Sequence, residues 1–129
     1  MNKQIFIAED DVAIVDIYRH IFGDAGFGVV VAVDGQDAME KLKSTGVPSI
    51  ILLDIMMPKA TGFEVLKFIK SRDSLRDIPV MFVTNLRAPE HIQKGLDLGA
   101  DKFLVKSEND TKQILNTVIQ LLEEKSIKN

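Results

Sequence analysis

The sequence predicts an α/β fold: a doubly wound, five-stranded parallel sheet with five helices divided between its two faces. Three observations lead there. Short, nearly continuous apolar runs rich in β-branched and aromatic residues lie at residues 5–8, 29–33, 50–53, 80–83 and 103–105, and unbroken hydrophobicity marks strands buried on both faces. Amphipathic stretches alternate with these runs, the pattern of a parallel sheet closed by helical crossovers. Such crossovers are right-handed, which leaves few topologies besides a layered sandwich.

In chain order, the run at 5–8 is stopped by Glu9, Asp10 and Asp11. Ile14, Ile17, Tyr18, Ile21 and Phe22 then repeat at helical spacing, and Asp11, just before Val12, is placed to cap that helix. The second strand, 29–33, leads through Asp34 and Gly35 into a helical stretch at 36–42 that Gly46 closes. The third strand, 50–53, reaches Asp54, and helix 63–69 starts after Gly62. Pro79 precedes the strand at 80–83, and Pro89 and Gly99 bracket a helix over 90–98. After the strand at 103–105, Ile114, Val118, Leu121 and Leu122 mark the last helix, beyond which a few polar residues, 126–129, are expected to trail. With no repeat, low-complexity segment or interior linker, a single domain spanning 1–129 is expected.

Composition narrows the function. A chain of 129 residues suits one core. Its 46% hydrophobic and 27% charged residues exclude intrinsic disorder, collagen-like repeats and coiled coil. A formal net charge of -3 offers no field suited to a phosphate backbone, so no direct DNA binding is expected. Without cysteine there is no disulfide, thiolate metal site or cysteine nucleophile. No targeting segment is evident and no stretch approaches the ~18 apolar residues of a membrane span, so the expected setting is the cytoplasm, away from membranes.

In such sheets ligands bind beyond the carboxyl ends of the strands, beside the point where strand order reverses. The first strand ends at Glu9, Asp10 and Asp11, the third at Asp54, the fourth at Thr84 and the fifth at Lys106. Only the second lacks a conspicuous candidate, Asp34 lying one residue beyond Val33. Singly, each residue has an ordinary explanation as a helix cap, a turn acid, a strand-ending β-branched residue or a surface ammonium. Together, acids on two strands with a hydroxyl and an ammonium on two others read as a built site. Two carboxylates a few ångströms apart repel by roughly 1–4 kcal/mol, a cost that a divalent cation between them lowers. An all-oxygen donor set points to Mg2+, with Mn2+ as its substitute. A carboxylate beside such a cation and a lysine is suited to attack phosphorus, because the cations neutralise charge on the transferring group. The expected product is an aspartyl phosphate.

These residues carry a family resemblance. Ile5-Phe6-Ile7-Ala8-Glu9-Asp10, Leu52-Leu53-Asp54-Ile55-Met56-Met57-Pro58, Gly62, Val83-Thr84 and Phe103-Leu104-Val105-Lys106 resemble a response-regulator receiver domain of two-component signalling, over nearly the whole chain. The resemblance implies a flavodoxin-like sheet of order 2-1-3-4-5 and a phosphoacceptor switch in place of a conventional enzyme. By the same resemblance Asp54 accepts the phosphoryl group from a phosphohistidine of a sensor histidine kinase or histidine phosphotransfer protein. Asp10, Asp54 and the backbone carbonyl of Met56 hold Mg2+, with Glu9 acting through a metal-bound water. Lys106 pairs with the phosphoryl group, Thr84 moves to hydrogen-bond it, and Phe103, the switch aromatic, packs inward. The face of the fourth helix, fifth strand and fifth helix then changes for a downstream protein target. No output domain is expected, and because Met1 begins almost at the first strand, a stand-alone receiver is the expectation.

Two departures from the family pattern stand out. Ser107 follows Lys106 where proline across a cis bond is usual; a non-proline cis bond costs roughly 3 kcal/mol, so a trans bond is expected. Asn85 follows Thr84 where a very small residue is usual, and is expected to crowd or hydrogen-bond the phosphoryl group. Met56 and Leu86 flank the site as an apolar pair that hinders attacking water. His20 and His91 are read as surface or partly packed residues, Met56 and Met57 as loop residues and not a soft metal site, and Lys41, Lys43, Lys67 and Lys70 as solvating helix faces. Three alternatives compete. A phosphatase of haloacid dehalogenase type needs a second acid two residues after its nucleophile, where this chain has Met56. A flavin carrier needs a phosphate-binding first loop, which Glu9, Asp10 and Asp11 would repel. A phosphate-sink receiver would hold the phosphoryl group without switching a surface.

Overall fold

A computed structural model describes residues 3–128, with side chains from 3 to 126. Strands and helices alternate throughout: β1 (Lys3–Ala8), α1 (Val12–Asp24), β2 (Phe27–Ala32), α2 (Gly35–Ser44), β3 (Ile50–Leu53), α3 (Gly62–Ser71), β4 (Val80–Thr84), α4 (Pro89–Asp97), β5 (Lys102–Val105) and α5 (Thr111–Lys128). The strands pair in parallel as one sheet of order β2-β1-β3-β4-β5, as the resemblance implies. The order reverses between β1 and β3, so the crevice for a ligand lies where Glu9 to Asp11 and Asp54 leave the sheet.

Alternate strand residues feed two cores, which is why the runs are apolar throughout. On one face Ile5, Ile7, Leu52, Met81 and Val83 meet Tyr18 and Phe22 of α1 and Ile114, Val118 and Leu121 of α5. On the other, Phe6, Ala8, Ile51, Leu53 and Phe82 meet Leu42 of α2 and Val65, Leu66 and Ile69 of α3. Full burial of each large side chain contributes about 1.5–3 kcal/mol, enough to commit both sheet faces. α4 lies close over the second core because Gly95 has no side chain: a Cβ there would sit 3.0 Å from the rings of Phe82 and Phe103.

Three helix starts follow their side-chain caps. Asp11 accepts from the N–H groups of Ala13 and Ile14 at 2.9 and 3.2 Å, the N-cap role its position predicts. Asp34 caps α2 through the N–H of Asp37, and Thr61 with Glu64 forms a capping box at α3.

Several boundaries differ from expectation. β1 starts at Lys3 and β2 at Phe27, because Phe27 and Gly28 pair with Lys3 and Gln4 although the apolar run begins later. Val33 lies outside β2 and is exposed, its N–H drawn out of the ladder by the Asp37 carboxylate at 3.0 Å. Thr84 and Lys102 belong to their strands, paired with Val105 and Met81. α5 runs on through Lys128, so residues 126–128 are helical and not a polar tail; Asn129 lies outside the described residues. Between β5 and α5 a short 3-10 turn, Lys106–Glu108, gives no periodic signal in so short a segment.

Candidate phosphoacceptor site

The carboxyl ends of β1, β3, β4 and β5 bring together what the sequence scatters over 98 residues, from Glu9 to Lys106. Glu9 continues β1 far enough for its N–H to reach the Ala32 carbonyl at 3.0 Å, and Asp54 N–H bonds the Ala8 carbonyl at 3.0 Å. Both acids are thereby held inside the crevice: Glu9 is 2% exposed and Asp54 7%. Asp10, between them in the rim, is exposed. One carboxylate oxygen from each of Glu9, Asp10 and Asp54 lies within 4.8 Å of the others.

Lys106 closes the group from β5. Its ammonium donates to Glu9 Oε1 at 2.5 Å and to Asp54 Oδ2 at 3.0 Å. The other oxygens are also engaged: Asp11 N–H donates to Glu9 Oε2 at 3.0 Å and Ile55 N–H to Asp54 Oδ1 at 2.7 Å. Burial pushes the Glu9 carboxyl above its ordinary value even against the opposing hydrogen bonds from Lys106 and the Asp11 backbone. For Lys106, burial acts to lower the pKa, but the hydrogen bonds and charges of Glu9 and Asp54 together outweigh it and hold the ammonium above its ordinary value. Tyr18, buried on α1, has its phenol pushed upward by burial and by the negative charge of Glu9 and Asp54.

The floor of the site depends on Gly62. Its N–H bonds the Ile55 carbonyl at 2.9 Å, and a Cβ there would come within 2.1 Å of the Asp54 carbonyl oxygen. The loop from Asp54 to α3 can pass so close only over a bare α-carbon. Within it Met56 is exposed at 63%, and Lys59 adopts a positive φ of 72°.

Thr84, at the end of β4, is 1% exposed, and its Oγ1 accepts from Leu86 N–H at 3.4 Å. Phe103 is half-buried, its ring 5.7 Å from Phe82 and next to Gly95 of α4. Asn85 is exposed beside Thr84 and Leu86 is half-buried. Among the described residues no peptide bond is cis, so Lys106 and Ser107 are joined in trans as expected. His20 is exposed and donates from Nδ1 to the Asp16 carbonyl, while His91 is half-buried on α4. Not all the lysines merely solvate helices: Lys41 bonds Asp37 and the Val31 carbonyl, and Lys70 bonds the Arg76 carbonyl.

Sequence reading finds every strand-end residue named above but misses three features. It treats Lys106 as a partner of an incoming group, whereas it already joins Glu9 and Asp54. It misses the Asp11 N–H that holds Glu9, and Asn109, whose amide meets the end of β5. An Asn three residues past the lysine that follows β5 carries no periodic signal.

The oxygen donor set fits a hard divalent cation, since three carboxylates with no His or Cys are placed to supply ligands on one side. Bound there, such an ion would neutralise charge on a transferring phosphoryl group.

Comparison with known proteins gives a consistent result. The family model for the response regulator receiver domain matches residues 5–119. The transcriptional regulatory protein DltR of Streptococcus agalactiae is 35% identical over 103 residues, 80% of this chain and 45% of that protein. This chain thus spans less than half the length of such curated relatives. Among solved structures, a CheY-like response regulator receiver domain protein from Methanospirillum hungatei superposes with a TM-score of 0.89 at 25% identity, covering 100% of both chains. Chemotaxis protein CheY4 of Vibrio cholerae gives 0.85 at 28% identity over 93% of this chain and 98% of that one. A matched receiver model over most of the sequence, on a sheet of the same order with acids at its switch point, establishes that the chain belongs to the response regulator receiver domain family.

Proposed function

We propose that this chain is a phosphoacceptor switch that takes a phosphoryl group on Asp54 from a phosphohistidine of a sensor histidine kinase or histidine phosphotransfer protein. The observation that carries this reading is the Asp54 carboxylate itself: buried at the end of β3, flanked by Glu9 and Asp10, and hydrogen-bonded by Lys106 at 3.0 Å. Asp54 attacks phosphorus through a carboxylate oxygen, forming the O–P bond as the N–P bond breaks; the departing imidazole keeps the N–P electron pair and takes up a proton. Lys106 follows the charge from the carboxylate to the phosphoryl oxygens. Asp10 and Asp54, with the Met56 carbonyl, would hold Mg2+, and Glu9 would act through a bound water; the ion supplies charge neutralisation on the phosphoryl group. The chain assists only its own phosphorylation and dephosphorylation.

The new dianion needs a donor, and Thr84 offers a buried hydroxyl at the end of β4. Drawing Oγ1 toward the site releases Leu86 N–H and vacates space that Phe103, half-buried against Phe82 and Gly95, is placed to fill. A close-packed region favours two discrete arrangements over gradual deformation, so α4, β5 and α5 change together and present an altered face to a downstream protein. In this reading the chain is a cytoplasmic receiver domain whose altered face a downstream protein reads. Incubation with a small phosphodonor and Mg2+ tests it: one acid-labile phosphoryl group is expected, and Asp54→Asn should abolish it. Undiminished labelling of that variant refutes the assignment.

A further inference from the structure

The turn that delivers Lys106, with Ser107 joined to it in trans, is held to the strand end by a side chain. Val105 ends β5 opposite Thr84, and its carbonyl accepts a hydrogen bond from Asn109 Nδ2 at 3.0 Å in part-buried surroundings. The Asn109 N–H closes the 3-10 turn on the Lys106 carbonyl at 3.4 Å. On the far side α5 is anchored independently: Gln113 N–H donates to Asp110 Oδ1 at 2.8 Å, and Asp110 N–H to Gln113 Oε1 at 2.7 Å. Ser107 and Glu108 are exposed, whereas Asn109 is half-buried where strand end and helix start meet.

We propose that Asn109 is a positioning residue for Lys106, its amide clamping the Val105 carbonyl and so aiming the lysine at Asp54 and Glu9. Each peptide is a rigid plane, so holding the Val105 oxygen through the Asn109 amide and the Lys106 oxygen through the Asn109 N–H restrains the planes on both sides of the Lys106 α-carbon, and with them the direction in which its side chain leaves the backbone. Lysine has a long, freely rotating stem, and a displacement of about 0.5 Å at Nζ already weakens a 3.0 Å hydrogen bond. A carbonyl requires a donor, which the Asn amide has and an Asp carboxylate lacks.

This inference rests on the phosphoacceptor reading, and its test separates the two. With the intact chain, Mg2+ and acetyl phosphate, initial labelling rates are compared for wild type, Asn109→Ala, Asn109→Asp, Lys106→Ala and the Lys106→Ala/Asn109→Ala double variant. Asn109→Ala and the near-isosteric Asn109→Asp should each lower the rate about tenfold, with Mg2+ affinity unchanged. In the Lys106→Ala background the Asn109 substitution should have no further effect, since both act through one group. A wild-type rate in Asn109→Ala, or an equal fractional loss in the Lys106→Ala background, overturns the inference. Failure of the wild-type chain to label at all would count against the phosphoacceptor reading instead. Lys106 placement is then judged directly by 15N NMR: its ammonium resonance, sheltered by two carboxylates, should be observable in wild type and lost in Asn109→Ala. Persistence at the wild-type shift overturns the proposal whatever the labelling shows.

Discussion

Replacing Lys106 by methionine keeps the bulk of the stem and removes the cation shared by two buried carboxylates. In the wild type the Lys106 side chain is 13% exposed, that of Glu9 2% and that of Asp54 9%. Removing one member of a fully buried ion pair costs about 3–5 kcal/mol. The crevice opens to solvent at Asp10, and water recovers part of that loss for Asp54, so a loss of about 2–3 kcal/mol near pH 8 is expected. For a domain of 129 residues that lowers Tm by about 10 °C. The effect has a definite pH dependence. Burial raises the folded-state pKa of Glu9, with Lys106 opposing it. A carboxyl raised in the folded state binds its proton more tightly there than in the unfolded chain. Stability therefore falls as pH climbs from the unfolded value, near 4.5, through the folded one. Without Lys106 the folded value climbs further, so the deficit of the variant grows with pH over that window and shrinks toward its acid end. In the wild type, Lys106's own contribution is intact below pH 10.5 and is lost only as pH rises through its raised folded value. Urea melts in chelator at about pH 5 and about pH 8 measure both effects. A Lys106→Met protein as stable as wild type at the higher pH, or one with the same deficit at both, refutes the reasoning.

Three further outcomes are expected. Asp10→Ala should lose Mg2+ binding by titration, whereas Asp11→Ala should keep it and lose about 1 kcal/mol of stability as a missing helix cap; the reverse result would move the end of β1 by one residue. Gly62→Ala, whose Cβ would stand 2.1 Å from the Asp54 carbonyl oxygen, should destabilise the fold by roughly 1–3 kcal/mol in urea and slow labelling, because backbone must shift under the acceptor. With beryllium fluoride and Mg2+, amide shifts should change across residues 87–98 and 102–105. Changes confined to the loops around Asp10 and Asp54 would favour a receiver that only holds the phosphoryl group.

Much of this molecule is legible in one dimension because the signals are local. A run such as Ile50 to Leu53 is apolar on both faces whatever lies beside it, so β3 and its twofold burial follow from four residues. Asp11 reads as a cap because a cap needs only the next three residues. Strand ends are equally local, and naming Glu9, Asp10, Asp54, Thr84 and Lys106 needs only the places where apolar runs stop. Partnership is a different matter. Lys106 and Glu9 are 97 positions apart, and their contact depends on β1, β3, β4 and β5 lying side by side in register, a consequence of sheet pairing that no window of sequence contains. Depth within the crevice divides the neighbouring acids Glu9 and Asp10 into one buried and one exposed, which their adjacency in sequence leaves open. The close passage of Gly62 beneath Asp54 and the clamp of Asn109 on Val105 likewise arise only when the ends of separate elements are brought together. Sequence alone determined which residues stand on the rim, because hydrophobic periodicity acts between neighbours. Tertiary structure decided which of them share charge and hydrogen bonds, because those act across space between residues the chain keeps far apart.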